Sequence, residues 1–144
     1  MNILIINGPN LNMLGKRQPE LYGGETLNEI NDCIQRSFPE VDFEFFQSNH
    51  EGGIIDKIQT TAAQGVVINA AAYTHYSIAI RDAILSRADI PFVETHLTNP
   101  KEREPFRRIS LIEDVCKKTF AGKKKESYIE ACRYLIEYLK GEKK

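Results

Sequence analysis

No stretch of this sequence stays apolar for the ~20 residues that a bilayer crossing requires. Tryptophan is absent, and 9 glycines and 6 prolines in 144 residues are too few for a collagen-like repeat or a low-complexity linker. At 42% hydrophobic and 27% charged, the chain carries too much apolar surface for disorder. Cysteine is scarce: Cys33, Cys116 and Cys132 are odd in number, far apart, and form no CxxC pair. There is no Asn-x-Ser/Thr acceptor, and Met1-Asn2-Ile3-Leu4 has neither the basic flank nor the cleavage site of a signal peptide. The expectation is a reduced, cytoplasmic protein without membrane association.

A dominant charge sign is lacking too. The 19 basic and 20 acidic residues give a net charge of −1, so no whole-protein field draws the chain onto nucleic acid. Residues 117–144 hold nine Lys/Arg and four Glu, a local +5 that leaves −6 for residues 1–116. Nothing aromatic interleaves Lys123-Lys124-Lys125, which reads as a solvated turn and helix face. Also missing are the GxGxxG, GxxxxGK[ST], GxSxG and HExxH motifs and the EF-hand loop, which argues against a tightly held nucleotide. The length suits one domain, because two cores would leave each half too small to bury much surface.

What is present alternates regularly. Ile3-Leu4-Ile5-Ile6 is a β-branched run ended by Asn7-Gly8-Pro9, the pattern of a buried strand. Thr26 and Glu29 make a capping box ahead of Leu27, Ile30, Ile34 and Phe38 at helical spacing. Val41, Phe43 and Phe45 alternate with polar residues in a half-buried strand reaching about Gln47. Ile54, Ile55, Ile58 and Ala62 mark a second helix, with Gly65 expected to close it. Val66-Val67-Ile68 is a buried strand stopping at Asn69, and a helix through Ile78, Ile80, Ala83 and Ile84 follows. Pro91-Phe92-Val93 begins a strand to His96; a weaker strand is expected within Val115–Ala121 and a final helix from about Ser127. This α/β alternation predicts a flavodoxin-like, doubly wound, five-stranded parallel sheet of order 2-1-3-4-5 with helices on both faces.

In such sheets ligands bind beyond the carboxyl ends of the strands, at the switch point between strands 1 and 3. There the sequence places Asn7-Gly8-Pro9-Asn10-Leu11-Asn12, then Asn69 with Tyr73-Thr74-His75, then Glu94 and His96, which share one side of their strand. Arg103 and Arg107 follow, a helical turn apart if their loop coils. Capping and turn roles explain any one of these residues but explain their joint placement poorly. Arginine, asparagine and histidine together suit a small, polar, anionic substrate. His75, His96 and Glu94 match no common metal-ligand spacing, and an imidazole beside a carboxylate more often makes an acid–base pair. Residues 15–24 form a long, Gly-bounded connection carrying Arg17 and Tyr22 over the crevice, the composition of a lid.

Asn7-Gly8-Pro9-Asn10-Leu11-Asn12, Leu14-Gly15, Arg17-Gln18-Pro19 and Tyr22-Gly23 closely resemble the opening of type II 3-dehydroquinate dehydratases. Asn49-His50-Glu51-Gly52, Ile68-Asn69-Ala70, Tyr73-Thr74-His75, Ile80-Arg81-Asp82-Ala83, Glu94 to Asn99, Arg103 and Phe106-Arg107 continue the resemblance in order through about residue 110. The C-terminal third is less similar, with Ala121-Gly122-Lys123-Lys124-Lys125 where the family commonly has an uncharged, Gly-rich turn.

The resemblance implies removal of water from 3-dehydroquinate to give 3-dehydroshikimate, a shikimate-pathway step needing no cofactor or metal. Tyr22 would be the proton acceptor, although a phenol ionising near ~10 needs nearby cations to serve at neutral pH. Arg17, and with it Arg103, would supply them. His96 would be the proton donor to the departing hydroxyl, with Glu94 fixing its tautomer. Asn10 or Asn12, with a water, would steady the enolate oxygen. Asn69, His75, Asp82, the Leu97-Thr98 backbone and Arg107 would bind substrate, Arg107 as a bidentate carboxylate clamp. The family also implies a homo-oligomer, a dodecamer built from trimers. A flavodoxin-like binding or phospho-receiver module and a purely structural subunit are the competing readings; the receiver's acidic cluster at the first strand end is missing.

Overall fold

The computed structural model describes residues 1–142; Lys143 and Lys144, the end of the basic C-terminal run, lie outside them. Strand β1 (Asn2–Asn7) shows how the sheet is covered on both sides. Ile3 and Ile5 enter one core, while Leu4 and Ile6 enter the other, and all four are fully buried. Burying each contributes roughly 1.5–3 kcal/mol before conformational entropy is set against it.

Helices α2 (Leu27–Ser37) and α5 (Lys125–Leu139) cover the first face, meeting Val67 and Val93 from the sheet. Helices α3 (Glu51–Thr60) and α4 (Ile78–Leu85) cover the second, meeting Val66, Ile68 and Phe92. Strands β2 (Asp42–Gln47), β3 (Gly65–Asn69), β4 (Phe92–His96) and β5 (Thr119–Ala121) complete an all-parallel sheet of order β2-β1-β3-β4-β5. The expected flavodoxin-like order is the observed one. The Thr26–Glu29 capping box is present in both directions, with each hydrogen bond at 3.1 Å.

Some expectations need correction. Gly65 does not close α3, which ends at Thr60 with the Thr61 N–H bonded to the Lys57 carbonyl. Gly65 opens β3 instead, where a Cβ would lie 2.9 Å from Leu135 Cδ1 of α5. The weak strand within 115–121 shrinks to Thr119–Ala121, because Glu113–Val115 coils into a 3-10 turn capped through Cys116 N–H. Ala62 lies beyond α3 and is exposed, and Val41 is buried just ahead of β2. The connection 15–24 contains a helical turn, α1 (Pro19–Tyr22), set between Gly15 and Gly23, whose φ of 89° and 93° favour glycine. Among the described residues no helix is long and apolar enough to cross a membrane.

Candidate active site

The crevice begins where β1 and β3 end side by side, with Asn7 and Asn69 in register. The Gly8 N–H donates to the Asn69 carbonyl at 2.8 Å. A Cβ on Gly8 would lie 2.5 Å from the Ala70 carbonyl oxygen, so only glycine lets the two chains approach this closely. Asn10 then turns left-handed (φ 69°, ψ −6°), a region asparagine tolerates better than most side chains. Its N–H donates to Asn49 Oδ1 at 2.9 Å, and Gln47 Nε2 donates to both Asn49 Oδ1 and the Gly8 carbonyl at 3.1 Å. Residues 47–49 thus support the turn that brings Asn10 to the crevice.

The end of β4 supplies a buried acid–base pair. Glu94 is fully buried, and its Oε2 accepts from His96 Nε2 at 2.7 Å and Ser110 Oγ at 2.8 Å; Oε1 accepts from Thr119 Oγ1 at 2.8 Å. Burial pushes the Glu94 carboxyl up, but the hydrogen bond and charge of His96 and the two hydroxyls outweigh it and hold the group below the ordinary carboxylate value. With Nε2 committed to the carboxylate, Nδ1 is the ring nitrogen of His96 left free for other partners. His75 is held differently. Its Nδ1–H donates to the Ile109 carbonyl at 2.8 Å, leaving Nε2 as an acceptor. Burial lowers its pKa, the Ile109 bond opposes this, and the positive charges of His96 and Arg107 add to the lowering, so a neutral ring is favoured.

Segment 15–24 forms the other wall through Arg17 and Tyr22. Arg17 Nη2 donates to the Tyr22 hydroxyl at 2.9 Å, and its Cζ sits 4.3 Å from the centre of the Tyr22 ring. Arg103 Cζ lies 5.4 Å from the same ring, so two guanidiniums flank a phenol that is only 8% exposed. Arg107 Nε donates to Glu104 Oε2 at 3.0 Å, which leaves the end of its fork for an anion. The room in the crevice is small, about 60 Å³, against the roughly 300–1,000 Å³ of ordinary ligand pockets.

Asn10, Arg17, Tyr22, Asn69, His75, His96, Leu97, Thr98, Arg103 and Arg107 all line this one crevice. Glu94 stands directly behind His96. Two expected residues are not brought in. Asn12 is exposed in the 3-10 turn Leu11–Met13 and absent from the crevice lining, because the left-handed turn at Asn10 commits Asn10 alone. Asp82 is exposed on α4, whose Ile80, Ala83 and Ile84 face the core and leave Asp82 on the outer side. Ser110 and Thr119, which hold Glu94, carried no motif in the sequence; Thr119 faces Glu94 only through the β4–β5 register.

The family model described as "Dehydroquinase class II" matches residues 1–136. The chain belongs to that family. A 3-dehydroquinate dehydratase of Chlorobaculum tepidum is 52% identical over 139 residues, which cover 94% of this chain and 93% of that one. One from Francisella philomiragia is 49% identical over 146 residues, covering 99% and 100%. The crystal structure of a type II dehydroquinase from Butyrivibrio crossotus superposes with a TM-score of 0.91 at 46% identity, covering 94% of this chain and 97% of that one. Residues 1–136 of this class II dehydroquinase include every strand and every crevice residue named above, as well as α5 up to Ile136.

Proposed function

We propose that the crevice removes water from 3-dehydroquinate to give 3-dehydroshikimate, the reaction of a type II 3-dehydroquinate dehydratase (a hydro-lyase) in the shikimate pathway. The observation that carries the reading is the pairing on one crevice of Tyr22, held by Arg17 at 2.9 Å, with His96, held by Glu94 at 2.7 Å. Elimination next to a ketone needs a base for the α-proton and an acid for the departing hydroxyl. Tyr22 is the base. The Arg17 donor and the two guanidiniums against its ring stabilise its oxygen when that oxygen carries negative charge. His96 is the acid, its proton on Nδ1 going to the leaving hydroxyl, while Glu94 stabilises the imidazolium.

The enolate oxygen between these steps falls to Asn10 with a water, since Asn10 lines the crevice and Asn12 does not. Arg107 holds the substrate carboxylate bidentately, and Asn69, neutral His75 and the Leu97-Thr98 backbone take its hydroxyls. No step requires a metal or cofactor, and among the described residues no three His, Cys, Asp or Glu side chains gather as a metal site would require. Among the described residues no lysine lines the crevice, which favours enolate chemistry over an imine.

Exposed apolar residues support self-association. Ile78 and Leu85 of α4 are 64% and 53% exposed, and Tyr76, Phe106 and Ile109 are exposed on neighbouring loops. Asp82 lies on the same helix, so the substrate contact implied for it requires a second copy of the chain. A homo-oligomer, with the dodecamer of trimers as the expected form, is the assembly proposed. The free cysteines suit a reducing, cytoplasmic compartment.

The test is incubation with 3-dehydroquinate while enone absorbance is followed, with and without a strong chelator, and with borohydride in a parallel sample. The expected result is enone formation unaffected by chelation and no lysine adduct by mass spectrometry. Chelator-sensitive turnover restored by a divalent ion, or a borohydride-trapped adduct, overturns the mechanism.

A further inference from the structure

Asn69 is the crevice residue whose orientation is determined from furthest away. Its Oδ1 accepts from the Ala71 N–H at 3.0 Å. A backbone N–H only donates, so this bond fixes which end of the amide is oxygen. Asn69 Nδ2 must therefore donate in the other direction, and its partner is the Tyr128 hydroxyl at 2.8 Å. With a donor already pointing at it, the Tyr128 O–H is turned towards Asn7 Oδ1, which accepts at 2.6 Å. The whole relay, Ala71 to Asn69 to Tyr128 to Asn7, runs one way because one backbone group starts it.

The three side chains of the relay are enclosed. Tyr128 is 0% exposed in the middle of the core on the α5 face, and Asn7 and Asn69 are 1% and 3% exposed at matching positions of β1 and β3. Burial pushes the Tyr128 phenol up, so it stays a protonated donor. Asn7 Nδ2 has no protein partner, which leaves the Tyr128 O–H as the group that sets the Asn7 amide.

We infer that Tyr128, buried beneath the crevice and not itself part of its lining, is a positioning residue for substrate binding that acts by holding the Asn69 amide in one orientation. The inference rests on the reading of Asn69 as a substrate contact. Tyr128 completes the Asn69 environment from α5, an element that contributes no residue to the crevice lining. Without the hydroxyl, Asn69 Nδ2 loses its buried acceptor, and the amide turns towards whatever the crevice offers.

The experiment is a double-substitution cycle on the full chain, with KM and kcat measured for Tyr128→Phe, Asn69→Ala and the pair. Tyr128→Phe keeps the ring and removes only the hydroxyl. It is expected to raise KM by about five- to fiftyfold, as expected for a group whose buried partner is lost. Turnover at saturation should stay within about threefold. In the Asn69→Ala background the same change should leave KM within about twofold, because nothing remains to be oriented.

An equal proportional rise in both backgrounds identifies Tyr128 as structural only and overturns the inference, as does an unchanged KM in Tyr128→Phe when Asn69→Ala raises it. An unchanged KM in Asn69→Ala itself removes the reading of Asn69, and the inference with it, whatever Tyr128→Phe does. Should Tyr128→Phe fail to fold, Asn7→Ala provides the same test, since it releases the Tyr128 O–H from its acceptor. A smaller rise in KM, again lost in the Asn69→Ala background, supports the relay; a rise independent of Asn69, or none, overturns it.

Discussion

The Arg17 guanidinium both donates to the Tyr22 hydroxyl at 2.9 Å and stacks 4.3 Å from the centre of its ring. The two residues sit at opposite ends of one short segment, and helix α1 between them closes the five-residue gap. The positive charge and the phenol are therefore carried by the same short segment. Gly15 and Gly23, both at positive φ, bound the segment.

The closest backbone approach in the crevice yields a stability prediction. In Gly8→Ala the new methyl would sit 2.5 Å from a main-chain oxygen that cannot swing aside. A loss of about 2–4 kcal/mol is expected, within the range for overpacking combined with backbone displacement. Urea denaturation measures it. A variant within about 0.5 kcal/mol of the wild type contradicts the close packing of β1 against the turn after β3.

Glu94 predicts a pH dependence of known sign. Its carboxyl is held below the ordinary 4.5, so the native state binds fewer protons than the unfolded chain between the two values. The resulting stability is complete above about pH 4.5 and is lost as pH falls through the lowered value. Melting temperatures of wild type and Glu94→Gln, followed from pH 7 down to 3, should converge with acidification, since the variant has no carboxyl at that site. A constant gap contradicts the lowered value.

Arg107 should act on binding more than on chemistry. Arg107→Ala is expected to raise KM by about 10- to 100-fold, the range for a charged hydrogen-bonding pair, with kcat reduced less. Arg107→Lys should recover only part, since a point charge lacks the fork. Steady-state kinetics on both variants checks this, and equal losses in kcat and in kcat/KM contradict a clamp that acts alike on substrate and transition state.

The sheet order was legible because buried parallel strands appear as short β-branched runs, and Ile3–Ile6, Val66–Ile68 and Phe92–Val93 are such runs. The Glu94–His96 pair was legible from strand periodicity alone. Asn10 and Asn12 were not separable in sequence, because a single left-handed residue decides which one turns inward. Ser110 and Thr119 were hidden because strand register and loop packing, not spacing, bring them to Glu94. The placement of Asp82 depends on the neighbours of α4: the helical positions of Ile80, Ala83 and Ile84 set it on the outer face, while the family motif alone suggested the crevice.

The central claim is that Tyr22 removes the substrate proton with Arg17 holding its oxygen, and kcat with melting temperature for Tyr22→Phe, Arg17→Ala and the double variant tests it most directly. A positioned base contributes about 10²–10⁴-fold, so Tyr22→Phe should lose at least a hundredfold in kcat while remaining folded and keeping KM within about tenfold. Arg17→Ala should lose nearly as much, and the double variant little more, because the two act as one unit. A folded Tyr22→Phe protein that keeps more than about a tenth of wild-type turnover contradicts the assignment, and a tyrosine that only packs would lower the melting temperature and leave turnover of the folded protein near normal.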